Sequence, residues 1–503
     1  YTPTTKIYNI KGDFQMIGNT NMTLQSYSDD GNNSSNMIYV DVDGIPNTLN
    51  SSSATLEFPI ENGMIPACSN IIYAGLYWIG RAHDGTSANT FSVTKSVPGA
   101  GTPTTVNFTG NVSSGNSANY TTYTMTVTRQ GSINNYYPRY SFSSTTSGQP
   151  TVQFEFLNAT PYIRYRINNG NWIEPTNQST ANSGNLRTTT FTPVTIYSES
   201  GGITLSVDRL VRDSRTNRTE LDYISNATAR ISVTGTYTPP ADITKNYDKS
   251  VVYLKHASEG SYTTISAQDI NFSQNIYYPT TNYGYMYSAY AEVTDYVKTH
   301  GLGEYTVADI ALREGDGGGT GFFGGWGMIV VYENSKMKWR DVTIFDGHAY
   351  VQGSTTVSYE LPVSGFRTAQ GGDISMKLGL IAGEGDRDIA GDYFQILPHD
   401  KLSLPTPAES DWVYLSHSGN STTNFFNSSI PAPAPRYPSY TNNTGVDIAM
   451  FNIDNTNNSI IKINQTSTRF RYGSTQDTYI IPVIAMAVDA YIPDLHAYLS
   501  VAS

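Results

Sequence analysis

Charge, cysteine and long apolar runs are all scarce in this chain. Only 14% of its 503 residues are Asp, Glu, Lys or Arg, against roughly a quarter in an ordinary soluble protein. The polar surface must therefore come from Ser, Thr, Asn and Gly, the residues of strands and tight turns rather than of helices. What charge there is leans acidic, with a formal net of −12 and a pI of about 5.0. Such a field repels phosphate backbones and argues against nucleic acid as a partner. One cysteine, Cys68, rules out an intrachain disulfide framework and a multi-cysteine zinc site. Its place beside the apolar run Ile71 to Trp78 predicts a small buried hydrophobe. No stretch approaches the roughly 20 apolar residues of a membrane-crossing helix, so no transmembrane segment is expected. Nor does a charged and then apolar leader open the chain, which starts at Tyr1. We read it as mature exported protein, extracellular after signal-peptide removal.

Among what is present, the segment Gly315 to Gly327, GDGGGTGFFGGWG, comes first. In phosphate-cradling loops the glycines follow a strand and open a helix. Here they precede Met328 to Tyr332, a mostly β-branched or aromatic run with little helical periodicity, and GK[ST] is absent. The segment therefore reads as a flexible loop leading into a buried strand, with Trp326 as a plug over the core. Further strands are expected at Ile7–Ile10, Met37–Val42, Ala54–Phe58, Ile71–Ile79, Trp339–Phe345, Ile374–Ala382, Ile460–Phe470 and Tyr479–Ala487. One helix is expected over Tyr290 to Thr299, with acids early, Lys298 late and Gly301 as its stop.

A composition shift divides the chain. Residues 90–242 are richer in Thr and Ser and end at Pro239-Pro240. They carry their own hairpin signal, Ile163 to Ile167 alternating and then Asn169-Gly170 turning toward Trp172. The expected fold is all-β: an antiparallel, jelly-roll-like β-sandwich head from residues 1–89 and 243–503, the latter part holding one or two sandwiches. An Ig-like β-sandwich is inserted at 90–242, with at most a few short helices.

The densest acidic cluster is Glu384, Asp386, Asp388 and Asp392, interspersed with glycines. Calcium takes six to eight oxygens from flexible loops, and spaced acids with glycine between them can supply these. No EF-hand spacing is present, and solvated loop carboxylates are the alternative. Asp41 and Asp43 form a weaker candidate, equally explained by an Asp-Gly turn. Calcium is the only cofactor these patterns suggest. A glycosidase would need two carboxylates about 5 to 9 Å apart. Glu314 with Asp316, and Glu384 with Asp386, are the pairs left open, and no catalytic residue is assigned. The seven histidines are scattered without HExxH spacing, and no G-x-S-x-G elbow occurs. Tyr is used 38 times. Tyr283, Tyr285 and Tyr287 would share one face of a strand, where they could stack on sugar rings or simply form core.

Several longer motifs, taken in order, resemble a known family. They are NIIYAGLYWIGRA (Asn70 to Ala82), YAEVTDYVKTHGLGEYTVADI (Tyr290 to Ile310), GGWGMIVVYE (Gly324 to Glu333), VTIFDG (Val342 to Gly347), LGLIAGEGDRDIAGD (Leu378 to Asp392) and FFNSSI (Phe425 to Ile430). Together they are similar to the N-terminal head of very large SprB-like surface adhesins of gliding Bacteroidetes. The resemblance covers residues 1–90 and 243–495 and leaves the inserted block outside. It implies a cell-surface adhesin exported by the type IX secretion machinery, attaching to surfaces, glycans or other surface proteins, with a role in gliding motility. It supplies no catalytic residues. A secreted lectin or glycan-active enzyme, with its site in the sandwich-end loops, is the alternative.

Overall fold

The computed structural model describes residues 4–82, 89–118, 121–198, 203–215, 218–273, 285–353, 357–431 and 434–492. The fold is all-β and antiparallel. Among the described residues the α-helices are two short ones, Glu220–Ser225 and Thr294–His300. None is long and apolar enough to cross a membrane. Contacts divide the chain into two compact units, Tyr1–Lys95 with Thr244–Ser503, and Ser96–Ile243. The first division falls six residues inside the expected 90–242 and the second one residue beyond it. The reason is that the strands Thr90–Val97 and Ala241–Asp248, which lead into and out of the insertion, pair with each other as a ribbon.

The larger unit is organised by its first strand, Thr4–Thr20. Its first half pairs with Trp339–Asp346 and its second half with Gly325–Glu333. It thereby joins two halves of a nine-stranded sheet. On one side lie Phe323–Glu333, Asn70–Arg81, Met286–Glu292 and Asp269–Phe272; on the other lie Trp339–Val351, Tyr479–Asp489, Met376–Gly383 and Val446–Asn452. The two halves fold over one another. A Cβ at Gly18 would lie 2.4 Å from Ile448 Cδ1, and one at Gly327 would lie 2.5 Å from Ile381 Cδ1. The core between them includes Phe14, Met16, Ile329, Val331, Ile381 and Ile448.

The second half of the sheet is buried on both faces. In Tyr479–Asp489, Ile480, Val483 and Ala485 join that core. Ile481, Ile484 and Met486 join another, against Phe394, Ile396 and Phe470 of a four-stranded sheet. This is why the strand reads as an unbroken apolar run instead of alternating. A five-stranded sheet containing Ser51–Leu56 and Gly303–Ala308 is tied to the first half. There Trp326 Nε1 donates to Ser52 Oγ at 2.9 Å and Asn19 Nδ2 to the Ser53 carbonyl at 3.0 Å.

Several expectations need correction. Gly324, Gly325 and Gly327 lie inside the strand Phe323–Glu333, and Trp326 is fully buried opposite Trp78. The segment is thus a packed strand start, because the folded-over sheet halves leave no room for side chains at those positions. Cys68 is exposed, on the 3-10 turn Pro66–Cys68, since the buried run begins only at Ile71. The helix begins at Thr294 because Tyr290–Glu292 remain paired to Gly75–Tyr77. Gly301 does end it, at φ +71.

The smaller unit is a two-sheet sandwich. A four-stranded sheet (Ile163–Ile167, Val152–Phe156, Asn135–Ser144, Tyr123–Ser132) and a five-stranded one containing Thr204–Asp213 and Thr228–Tyr237 enclose one core. Tyr140, Phe142, Phe154 and Phe156 meet Leu205, Val207, Ile231 and Val233 there. The hairpin turn falls one residue earlier than its Asn-Gly signal. Asn168 (φ 49) and Asn169 (φ 60) take the two left-handed positions, and Gly170 N–H closes the turn on the Ile167 carbonyl at 2.8 Å. Asparagine tolerates that region, so the pair Asn-Asn serves as well as Asn-Gly.

Candidate metal centre

The strand Met376–Gly383 ends directly before Glu384, which takes φ +85 and is pinned by its N–H to the Gly445 carbonyl at 2.8 Å. Two residues on, Asp386 donates its N–H to Asp477 Oδ2 at 3.0 Å. Asp477 sits in the turn between Ser467–Ser474 and Tyr479–Asp489. Glu384, Asp386 and Asp477 are each at most 3% exposed. One oxygen from each lies within 4.8 Å of the others. Two ligands on opposite sides of a calcium ion, each about 2.4 Å away, are about 4.8 Å apart.

Buried carboxylates ordinarily find a cation or several N–H donors. Here Glu384 Oε2 and Asp386 Oδ1 have no hydrogen-bond partner. Burial, and then repulsion from Asp477, push the carboxyls of Glu384 and Asp386 well above the usual range; Asp477 is raised by burial and by Asp392. Arg81, fully buried, is an opposing charge that favours the ionised form of Glu384. Its Nη1 also donates to the carbonyls of Gly317 (2.7 Å) and Gly321 (2.8 Å). The glycine-rich segment therefore walls this site.

Asn33 completes the surroundings. Its backbone N–H favours the ionised form of Asp386, and its own amide is fully buried with no partner for either atom. Gly321, at φ +74, packs so closely that a Cβ there would lie 2.2 Å from the Asn33 carbonyl oxygen. Glycine is required on both counts. The three carboxylates form a hard, all-oxygen donor set, which suits calcium better than a transition metal.

Of the four acids singled out in sequence, Glu384 and Asp386 come together. Asp392 is buried nearby but outside the trio, accepting the Phe426 N–H. Asp388 is exposed and receives only a long bond from Asn32 Nδ2, 3.4 Å. Nothing in the sequence marked Asp477 or Asn33 as metal ligands, because each lies far in sequence from Glu384 and Asp386. A further acid, Asp447, accepts the N–H groups of Ser428 and Ser429 at 3.0 and 2.9 Å, and burial pushes it up to about 7.

The weaker acidic candidates are turn residues. Asp43 is saturated by the Ile45 N–H (2.8 Å), Thr48 Oγ1 (2.8 and 2.9 Å) and Tyr262 Oη (2.6 Å). Asp41 is exposed and accepts Ser51 Oγ at 2.8 Å. Glu314 is likewise structural, receiving the Tyr39 N–H at 2.8 Å and Lys95 Nζ.

Among the tyrosines, Tyr287 is fully buried and donates to the Ala311 carbonyl at 3.0 Å, so it is core and not a sugar platform. Tyr285 is half-buried, and Tyr283 lies outside the described residues. His348 sits between Ser273 Oγ and Ser288 Oγ, 2.7 Å from each. Both serines are buried, while His348 is half-buried and lines a depression of about 320 Å³ with Tyr350 and Tyr359.

Compared with known proteins, the chain matches no family model and no curated sequence.

Proposed function

We propose that the chain is the calcium-dependent head of an extracellular surface adhesin. In this reading it attaches the cell to surfaces, glycans or partner proteins and takes part in gliding, after export by the type IX machinery. The adhesive part rests on the ordered motifs that resemble SprB-like heads and on a sandwich architecture with a polar, uncharged surface. The calcium part rests on one observation: three buried carboxylates, two of them with an unpartnered oxygen, opposed among the described residues by the Arg81 guanidinium. A divalent cation offsets the repulsion that otherwise keeps these groups protonated.

Thermal melting tests the calcium part. A ligand at a hundredfold its Kd adds about 2.7 kcal/mol to the folded state, so calcium should raise the melting temperature by several degrees and EGTA should reverse the rise. Asp477→Asn should abolish the response. Identical melting in calcium and EGTA would sink the reading. For the adhesive part, surface labelling and attachment assays on cells lacking the gene are decisive, and normal attachment would count against it.

A further inference from the structure

Beside the acid trio lies a surface depression of about 450 Å³ whose side chains are mostly amides and hydroxyls, with apolar atoms making up nearly half of its lining. Gln25, Ser26, Asn32, Ser35 and Asn36 form one side and Asp388 the other, with Leu24 as the apolar contributor. No cation lines it. Between Ser26 and Ser28, Tyr27 is 43% exposed and stacks on Tyr440, ring centroids 4.8 Å apart. The 24–36 loop is braced from behind, where Asn442 Nδ2 donates to the carbonyls of Ser28 (2.9 Å) and Gly31 (2.6 Å).

Resting on the calcium reading above, we propose that this depression is a calcium-dependent binding site for a neutral glycan. Sugar rings are recognised by amide and hydroxyl groups that match their hydroxyls, and the Tyr27–Tyr440 stack braces the loop that carries these groups. The volume suits one or two sugar residues. Asp388 and the acidic chain disfavour carboxylated or sulfated sugars.

Dependence on calcium follows from how the walls are anchored. Asn32 precedes Asn33, whose backbone N–H favours the ionised form of Asp386, and Asp388 follows Asp386 by two residues. The two walls meet at the 3.4 Å contact between Asn32 and Asp388. A cation gripped by Asp386, which adjoins both walls, sets their spacing. Without it, repulsion among the acids works to separate them.

The test uses the full chain on an array of neutral oligosaccharides ending in mannose, galactose or N-acetylglucosamine, with sialylated and sulfated glycans alongside, in calcium and in EGTA. Retention of a neutral glycan in calcium, at least tenfold weaker in EGTA, is expected. The double variant Asn32→Ala, Ser35→Ala should lose that retention while keeping the calcium-induced rise in melting temperature. Asp386→Asn should lose both. Should calcium raise the melting temperature while no neutral glycan is retained, or only charged ones, the pocket proposal is overturned and the metal reading stands. Retention that is indifferent to EGTA overturns the coupling. No effect of calcium on melting removes the metal reading itself.

Discussion

At the scale of single residues, the most consequential groups are polar and buried. Glu384, Asp386 and Asp477 are costly to bury as anions, and that cost is the reason to expect a cation among them. His348 is the opposite case, an imidazole kept neutral. Burial lowers it from 6.5 to about 4, with both nitrogens bonded to serine hydroxyls. Between pH 6.5 and 4 the unfolded chain binds a proton that the folded protein refuses, so stability from this group falls as pH falls through that window. The loss is complete below pH 4, where the folded form protonates too, and amounts to about 3 kcal/mol. His417, also lowered to about 4 by burial, acts in the same sense. Urea unfolding of wild type and His348→Gln should therefore show a difference that shrinks as pH drops from 7 to 4. A pH-independent difference would mean that His348 is already charged, or solvated, in the fold. Taking the difference cancels the buried acids, which work in the other direction.

Among the elements, the strand Phe323–Glu333 carries two jobs. Its glycines let the sheet halves close, and the turn before it supplies the carbonyls that hold Arg81. The close approach predicts an asymmetry among glycines. A Cβ at Gly18 would lie 2.2 Å from the Trp326 carbonyl oxygen, a backbone atom that cannot step aside, whereas one at Gly260 would meet nothing within 4 Å. Gly18→Ala should cost about 1–3 kcal/mol or more, and Gly260→Ala should stay within about 0.5 kcal/mol of wild type. Equal melting temperatures for the two variants would show that the halves are not packed as described. The sequence announced most of these elements through β-branched runs and turn residues. It did not announce that Ile460–Phe470 begins as loop, with the strand starting only at Ser467. Apolar residues such as Ile460 and Ile461 are buried there without being paired.

At the scale of the whole molecule, the two units differ in chemistry as well as in core. Between residues 96 and 243 there are ten arginines, no lysine and eight acids, so the acidity of the chain belongs to the other unit. The sandwich core of 96–243 draws on no residue outside that range. Deleting 96–243 and joining Lys95 to Thr244 with a short Gly-Ser linker should leave the calcium-dependent rise in melting temperature intact. The excised segment should unfold cooperatively on its own. Loss of the calcium response in the shortened chain would mean that the metal site needs the insertion.

Read alone, the sequence determined the all-β class, the inserted block, the helix stop at Gly301 and two of the three clustered acids. These are local matters of propensity, period and composition, and each leaves its mark within a few neighbouring residues. Tertiary structure decided the rest. It buried Glu384 and Asp386 where loop acids are ordinarily solvated, brought Asp477 and Asn33 to them, left Asp388 and Cys68 at the surface and turned Tyr287 inward. The physical reason is that burial and approach depend on which strands lie next to which. The packing of the nine-stranded sheet brings together residues some 90 to 450 positions apart, distances over which no sequence pattern carries information.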